Sequence, residues 1–161
     1  MNTIADDLRY IIEDATERLQ AIPEALTQTS HIDGQWSAKQ ILGHLIDSAA
    51  NNHQRFVRAQ FTDDLVFAGY DQEQWIHVQH YDEEVWAELI DLWRGYNLHL
   101  AHVIDNIPAS TLTQVRTAHT LDKIAWQTIK ATEPSTLEYL IRDYMGHLHA
   151  HLEQLFVATQ A

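Results

Sequence analysis

The chain has 161 residues, about one domain's worth, and 45% of them are apolar, with five Trp, six Tyr and four Phe. That is enough to bury a sizeable core, and it excludes a disordered chain. Ten Lys and Arg against 23 Asp and Glu leave a formal net charge of −13 at pH 7, which repels nucleic-acid backbones and anionic membrane faces. There is no cysteine, so disulfides, thiolate nucleophiles, zinc fingers and iron–sulfur clusters are excluded together, and any metal must sit on nitrogen and oxygen ligands.

The first residues, MNTIADDLRY, are acidic and lack an apolar leader pattern, and no run of roughly 18 apolar residues follows. The expectation is a cytoplasmic protein with neither a membrane nor a nucleic acid as partner. Over residues 4–21, Ile4, Leu8, Ile11, Ile12, Ala15 and Leu19 recur at three- and four-residue spacing and predict an amphipathic helix that Pro23 stops. Ser37-Ala38-Lys39-Gln40 has capping-box spacing, so a second helix starts near Ala38 and continues to about Phe61, with Trp36 and Ile41 placed for a hydrophobic staple. Asp82, followed by Glu83 and Glu84, predicts the start of a third helix ending near Ile107, before Pro108. Its expected stripe is Val85, Leu89, Leu92, Trp93, Tyr96, Leu100, Val103 and Ile107, with Trp86, Trp93 and Tyr96 as core aromatics. After Pro134, a second capping box, Ser135-Thr136-Leu137-Glu138, opens a fourth helix through Leu140, Ile141, Tyr144, Leu148, Leu152 and Leu155. The connections 62–81 and 108–134 exceed the roughly 2–8 residues of bundle turns, so they cross over or cover something. Within the later one, 111–117 and 124–129 have the composition of short strands. No repeat or boundary divides the chain, which predicts one domain over residues 1–161.

Eleven histidines are the outlier of the composition, because imidazole is the side chain that titrates near neutrality and ligates metals. His147 and His151 stand four apart on the fourth helix, so both rings leave the same side at a distance one ion can bridge. With this many histidines such a spacing is close to what chance supplies. Their angular setting adds to it: both lie beside Leu140 and Tyr144 at the margin of the apolar face, whereas His149 falls on the water side. On the second helix His44 flanks the Ile41 and Leu45 face in a polar row with Ser48, Asn51 and Arg55, and a polar row beside a core needs partners. His77 with His80 and His99 with His102 are rival pairs, each three apart. A single histidine in such a place is more often a hydrogen-bonded structural residue than a ligand. There is no Glu-x-x-His, His-Glu-x-x-His or Gly-x-Ser-x-Gly element and no glycine-rich phosphate loop, which excludes ferritin-like, zincin, serine-hydrolase and P-loop readings.

The run Trp36-Ser37-Ala38-Lys39-Gln40-Ile41-Leu42-Gly43-His44-Leu45-Ile46-Asp47-Ser48, with Asn52 and Arg55-Phe56 behind it, resembles the helix-two signature of the DinB/YfiT-like superfamily. Asp143-Tyr144-Met145-Gly146-His147-Leu148-His149-Ala150-His151-Leu152-Glu153-Gln154 is similar to its last helix, and Gly69-Tyr70-Asp71-Gln72 with Trp75 resembles its middle connection. The resemblance spans residues 5 to 160. It implies an all-α four-helix bundle with an up-down-down-up course and long crossover connections. It also implies a divalent metal held by three histidines, which carry over onto His44, His147 and His151. The surplus histidines leave open whether a fourth, such as His99, joins them. Relatives include S-transferases that use bacillithiol or mycothiol, mycothiol-dependent isomerases, and proteins known only as metal-dependent hydrolases.

Three neutral imidazoles leave a divalent ion its full charge and an open position, as in catalytic rather than closed zinc sites. Such an ion makes hydroxide from bound water or holds a low-molecular-weight thiol as thiolate. The leading expectation is a metal-dependent thiol S-transferase acting on small electrophiles. In it Arg55 pairs an anionic cofactor group, Asn52, Trp75 and Tyr144 line the pocket, and Asp47 orients a ligand from behind. The alternatives are a metal-dependent hydrolase using metal-bound hydroxide and a non-catalytic metal- or ligand-binding bundle. Zinc or nickel leads among the metals that imidazole suits, and the expected partners are a small-molecule substrate and a second copy of the chain.

Overall fold

The apolar spacing of the first segment folds it into α1, Thr3–Gln20, in the computed structural model, which describes residues 3–30 and 32–160. Residues 1, 2, 31 and 161 of the expected domain lie outside the described residues. Helix α2, Ala38–Arg58, opens on the predicted capping box: the Gln40 amide donates to Ser37 Oγ, and Gln40 Oε1 accepts from the Ser37 amide at 2.9 Å. It stops three residues before the expected Phe61. Within the first long connection, Asp71 caps a short α3, Gln72–Gln79, which ends at His80 in the left-handed region at φ 52°. Then come α4, Trp86–Asp105, the short α5, Ala109–Thr113, and α6, Leu121–Ile124, and finally α7, Leu137–Ala158.

Two predicted helix starts and the predicted strands are corrected. Asp82 does not cap α4. It lies in a 3-10 turn, Tyr81–Glu83, where it accepts from Ser37 Oγ at 2.6 Å, and Val85 precedes the helix without a side-chain cap. Thr136, not Ser135, caps α7 by accepting from the Tyr139 amide at 3.1 Å, while Glu138 pairs with Arg142. The reason is that the Ser135 backbone is committed to a bridge with Arg116. Among the described residues that bridge and a second, Leu65 with His119, are the only β-pairing. The expected strands are otherwise helix and irregular chain.

The bundle's course follows from which residues meet. Arg9 reaches Asp105 at 3.2 Å, Glu13 reaches Arg94 at 2.7 Å and Leu19 accepts from Trp86 Nε1 at 3.1 Å, so α1 and α4 run antiparallel. Lys39 donates to the Glu84 carbonyl at 2.5 Å, and farther along the His53 and Tyr96 rings meet at 5.8 Å, so α2 and α4 run parallel. His44 lies beside His147 and His151 whereas Phe56 meets Tyr144 at 5.7 Å, so α7 runs antiparallel to α2. At the far end of α1, Arg18 lies over Phe156 and pairs with Glu153. The course is up, down, down, up. A parallel pair needs a chain return of about 30 Å for a helix as long as α2, which is why the connection from α2 to α4 is long.

The buried cluster runs from Ile4 to Phe156 and is centred on residues such as Leu8, Leu42, Trp93 and Leu148. On α4 the expected stripe is rotated. Val85 and Leu92 are exposed, and the helix buries Trp86, Leu89, Ile90, Trp93, Asn97, Leu100, Ala101 and Ile104, because it packs against both α1 and α2. Tyr96 is partly buried. The two long connections bind each other through Leu65, Ala118 and Thr120 and close over one end of α2 and α7. Buried His119 belongs to this cover: its Nδ1 accepts from the Leu121 amide, so its Nε2 donates to the Glu133 carbonyl, and the ring is structural.

Candidate metal centre

Antiparallel packing of α2 against α7 sets one imidazole between two. The ring centroids lie 5.0 Å apart for His44 and His147, 4.8 Å for His44 and His151, and 4.5 Å for His147 and His151. Nε2 of His44 stands 3.1 Å from Nε2 of His147, and one donor atom from each of the three rings lies within 4.8 Å of the others. His151 Nδ1 meets Gln154 Oε1 at 2.9 Å. An amide oxygen only accepts, so Nδ1 carries the proton and Nε2 keeps its lone pair. His44 is fully buried, and its Nδ1 has no hydrogen-bond partner.

Burial sets the charge state. It pushes the pKa of His44 down to about 4, with His151 adding to the effect, and that of His147 down to about 3, with His151 and His44 adding to it. His151 is lowered by burial against the opposing bond to Gln154. All three rings are therefore neutral near pH 7, the form that ligates. The donor set fits a divalent ion such as zinc. Nitrogens sharing one tetrahedral zinc at 2.0–2.1 Å stand roughly 3.3 Å apart, close to the observed His44 to His147 separation. No carboxylate joins them, so an ion held there would keep its full charge.

Of the expected ligand-orienting and rival residues, none joins the group. Asp47 is buried on the same helix, but its Oδ1 accepts from the Tyr81 hydroxyl at 2.7 Å and from Gln79 at 2.8 Å, and Oδ2 has no partner. It fastens the 3-10 turn to α2 and makes no hydrogen bond to His44. His99 packs on His53 at 5.1 Å and on His102 at 6.3 Å, away from the three. His77 and His80 are exposed on the short α3 and its end, and His149 is exposed on α7. Among the described residues no other group of three such donors comes as close.

Beside the histidines a cavity of about 320 Å³ opens. From α2 it is lined by Ser48, Asn52 and Arg55, from the first connection by Gly69, Tyr70 and Gln72, and from α7 by Leu140, Asp143 and Tyr144 with His147 and His151. The second connection supplies the wall from Lys123 to Trp126. Asn52, Arg55 and Tyr144 are where the sequence places them, with Asn52 rather than Asn51 continuing the buried row from His44. Trp75 is not part of the lining. Its ring packs on Tyr70 at 5.0 Å, and Tyr70 faces the cavity in its stead. The Tyr144 hydroxyl donates to the buried Asn97 on α4, which fixes it.

Several of these residues escape sequence reasoning. Trp36 does more than precede α2: its ring lies 5.1 Å from that of His44 and stacks at 6.4 Å on His151. Trp126 stands 6.3 Å from His147, held because Asp143 accepts from the amides of Trp126 and Gln127 at 2.8 and 2.7 Å. Gly146 makes room for it, since a Cβ there would come within 3.1 Å of the indole. Gln154 could have been found from its spacing of three after His151. Nothing in the sequence announces Trp126, whose place depends on a carboxylate seventeen residues away.

The sequence profile of the DinB superfamily matches residues 8–155, most of the chain. The chain belongs to the DinB superfamily. A solved structure to which this DinB chain is similar is that of YfiT from Bacillus subtilis, described as "a probable metal-dependent hydrolase with an unusual four-helix bundle topology". The two share 18% identity at a TM-score of 0.75, over 96% of this chain and 85% of that one, a likeness that carries the fold. No curated protein sequence matches the chain.

Proposed function

We propose that this DinB-superfamily chain is a metal-dependent enzyme acting on small molecules, with His44, His147 and His151 as the metal ligands, and that its reaction is transfer of a thiol to a small electrophile. The observation that carries the reading is the convergence of three neutral imidazoles, two of which, His147 and His151, line a cavity of small-molecule size. A divalent metal bound there supplies Lewis acidity, which makes a bound thiol or water more acidic.

The residues around the three histidines favour thiol transfer over hydrolysis. Among the described residues Asp143 is the one carboxylate lining the cavity, and each of its oxygens accepts from a backbone amide. The Tyr144 hydroxyl is spent on Asn97, and burial keeps it protonated. Among the described residues the one carboxylate of the cavity is thus engaged in holding the second connection, whereas a thiol needs only a modest lowering of its pKa. Tyr70 lines the cavity with its pKa pushed up to about 12, chiefly by burial, so its hydroxyl remains a hydrogen-bond donor for a leaving group or an electrophile. Trp36 and Trp126 flank the histidines and give the site apolar walls.

The description of the YfiT fold neighbour favours the second reading, a metal-dependent hydrolase. One assay separates them: zinc- or nickel-loaded protein is offered a panel of low-molecular-weight thiols with 1-chloro-2,4-dinitrobenzene, and separately p-nitrophenyl esters without thiol. Thiol-dependent conjugation that His147→Ala abolishes supports the transferase. Ester hydrolysis without thiol, likewise abolished, replaces it with the hydrolase. Inactivity in both, with metal bound, contradicts both and leaves a metal-binding bundle.

A further inference from the structure

The wall of the cavity contains a buried cation without an ion-pair partner among the described residues. Arg55 is 3% exposed; its Nη2 donates to the Ala68 carbonyl at 2.9 Å and its Nη1 to Asn52 Oδ1 at 3.5 Å, while Nε has no partner. Of the other buried cations, Lys39 pairs with Glu24 at 3.0 Å, and Arg116, whose Nε and Nη1 also lack hydrogen-bond partners, has the acidic Asp63 and Asp64 nearby. Arg55 has only the neutral Tyr70 beside it, and no carboxylate among the described residues forms an ion pair with it. In a chain with a net charge of −13 this is a marked local reversal. The only other cation lining the cavity is Lys123, which is exposed. A buried charge left unpaired is costly and is retained where something repays it.

We infer that Arg55 is a carboxylate-recognition point, so that the small molecule taken into this cavity carries a carboxylate at the end away from the histidines. The inference rests on the reading of the cavity as the small-molecule site. Arg55 stands eleven residues, or three turns, beyond His44 on α2, about 16 Å of helix rise, and it lines the same cavity as His147 and His151, so it meets the end of a ligand remote from the histidines. A planar guanidinium offers parallel N–H donors that match a carboxylate. A phosphate is best held by several positive charges, and among the described residues this wall adds only the exposed Lys123 to Arg55. Arg55 is thereby a specificity residue, distinct from the metal ligands.

The test is calorimetric titration of succinate, succinamide and inorganic phosphate into zinc-treated wild type and Arg55→Gln. Succinate is expected to bind wild type, succinamide not to, and Arg55→Gln to weaken succinate by about tenfold or more while keeping the zinc content of wild type. Equal succinate affinity in Arg55→Gln, equal affinity for succinamide, tighter binding of phosphate, or absence of saturable succinate binding to wild type would each overturn it. If Arg55→Gln fails to fold, the contrast between succinate and succinamide on the wild-type protein decides. Failure of the metal reading shows separately, as absence of zinc from wild type.

Discussion

Gly43 and Asp47 flank His44 on α2 and govern how the first connection lies against it. A Cβ at position 43 would stand 2.2 Å from the Tyr81 ring, so Gly43→Ala must displace that ring and break its bond to Asp47. The expected cost is about 2–3 kcal/mol, read as a lower urea midpoint with an unchanged slope. Asp47 carries the opposite sign. Burial raises its pKa against the bonds from Tyr81 and Gln79, so the unfolded chain gives up this proton at lower pH than the folded one. Stability from Asp47 is thus fully present below the ordinary carboxylate pKa and is lost as pH rises through the folded value. Asp47→Asn, which keeps an acceptor for both donors, is expected to raise the melting temperature near neutral pH, with the gain vanishing in acid. A melting temperature lowered equally at both pH values would contradict it. The sequence shows His44 well and Asp47 poorly for one reason. His44 is marked by its position at a core margin, whereas the partners of Asp47 arrive from a connection whose path no local pattern encodes.

At the scale of elements, caps and covers hold the site's two helices in register. Ser37 caps α2 and also donates to Asp82, joining the start of α2 to the turn before α4. Ser37→Ala removes both contacts and is expected to cost about 1–2 kcal/mol, measured by denaturant unfolding. Asp143 holds the Trp126 segment against α7 through two amides. Asp143→Ala is expected to speed hydrogen exchange at Trp126 and Gln127 while leaving exchange in the middle of α2 unchanged. Slow exchange retained at those two amides would show that the indole packing alone holds the segment. The four long helices were legible because their apolar spacing repeats for about five turns each. The start of α7 was not, since Ser135 and Thr136 are equally good caps and a bridge to Arg116 chooses between them. The buried face of α4 is rotated by about one residue from the expected stripe, because a helix wedged between two neighbours is apolar on more than one side.

Across the whole molecule, the up-down-down-up course makes the site. It sets α2 antiparallel to α7, which brings His44 between His147 and His151. It also makes α2 parallel to α4, which forces the long crossover whose residues Gly69, Tyr70 and Gln72 wall the cavity. Sequence spacing supplied His147 and His151 as a pair, and family resemblance joined His44 to them. The second connection's share of the site, Trp126 above all, is a product of tertiary packing. No helix among the described residues is long and apolar enough to cross a membrane, and in a chain of net charge −13 the buried charge of the cavity wall is the cation Arg55. The central claim is that three histidines from two helices hold one metal. Its most direct test is the metal content of tag-free wild type, His44→Ala and His147→Ala by inductively coupled plasma mass spectrometry. About one zinc or nickel per chain in wild type, lost in both folded variants, is the predicted result; a metal-free wild type, or metal retained in both variants, would contradict it.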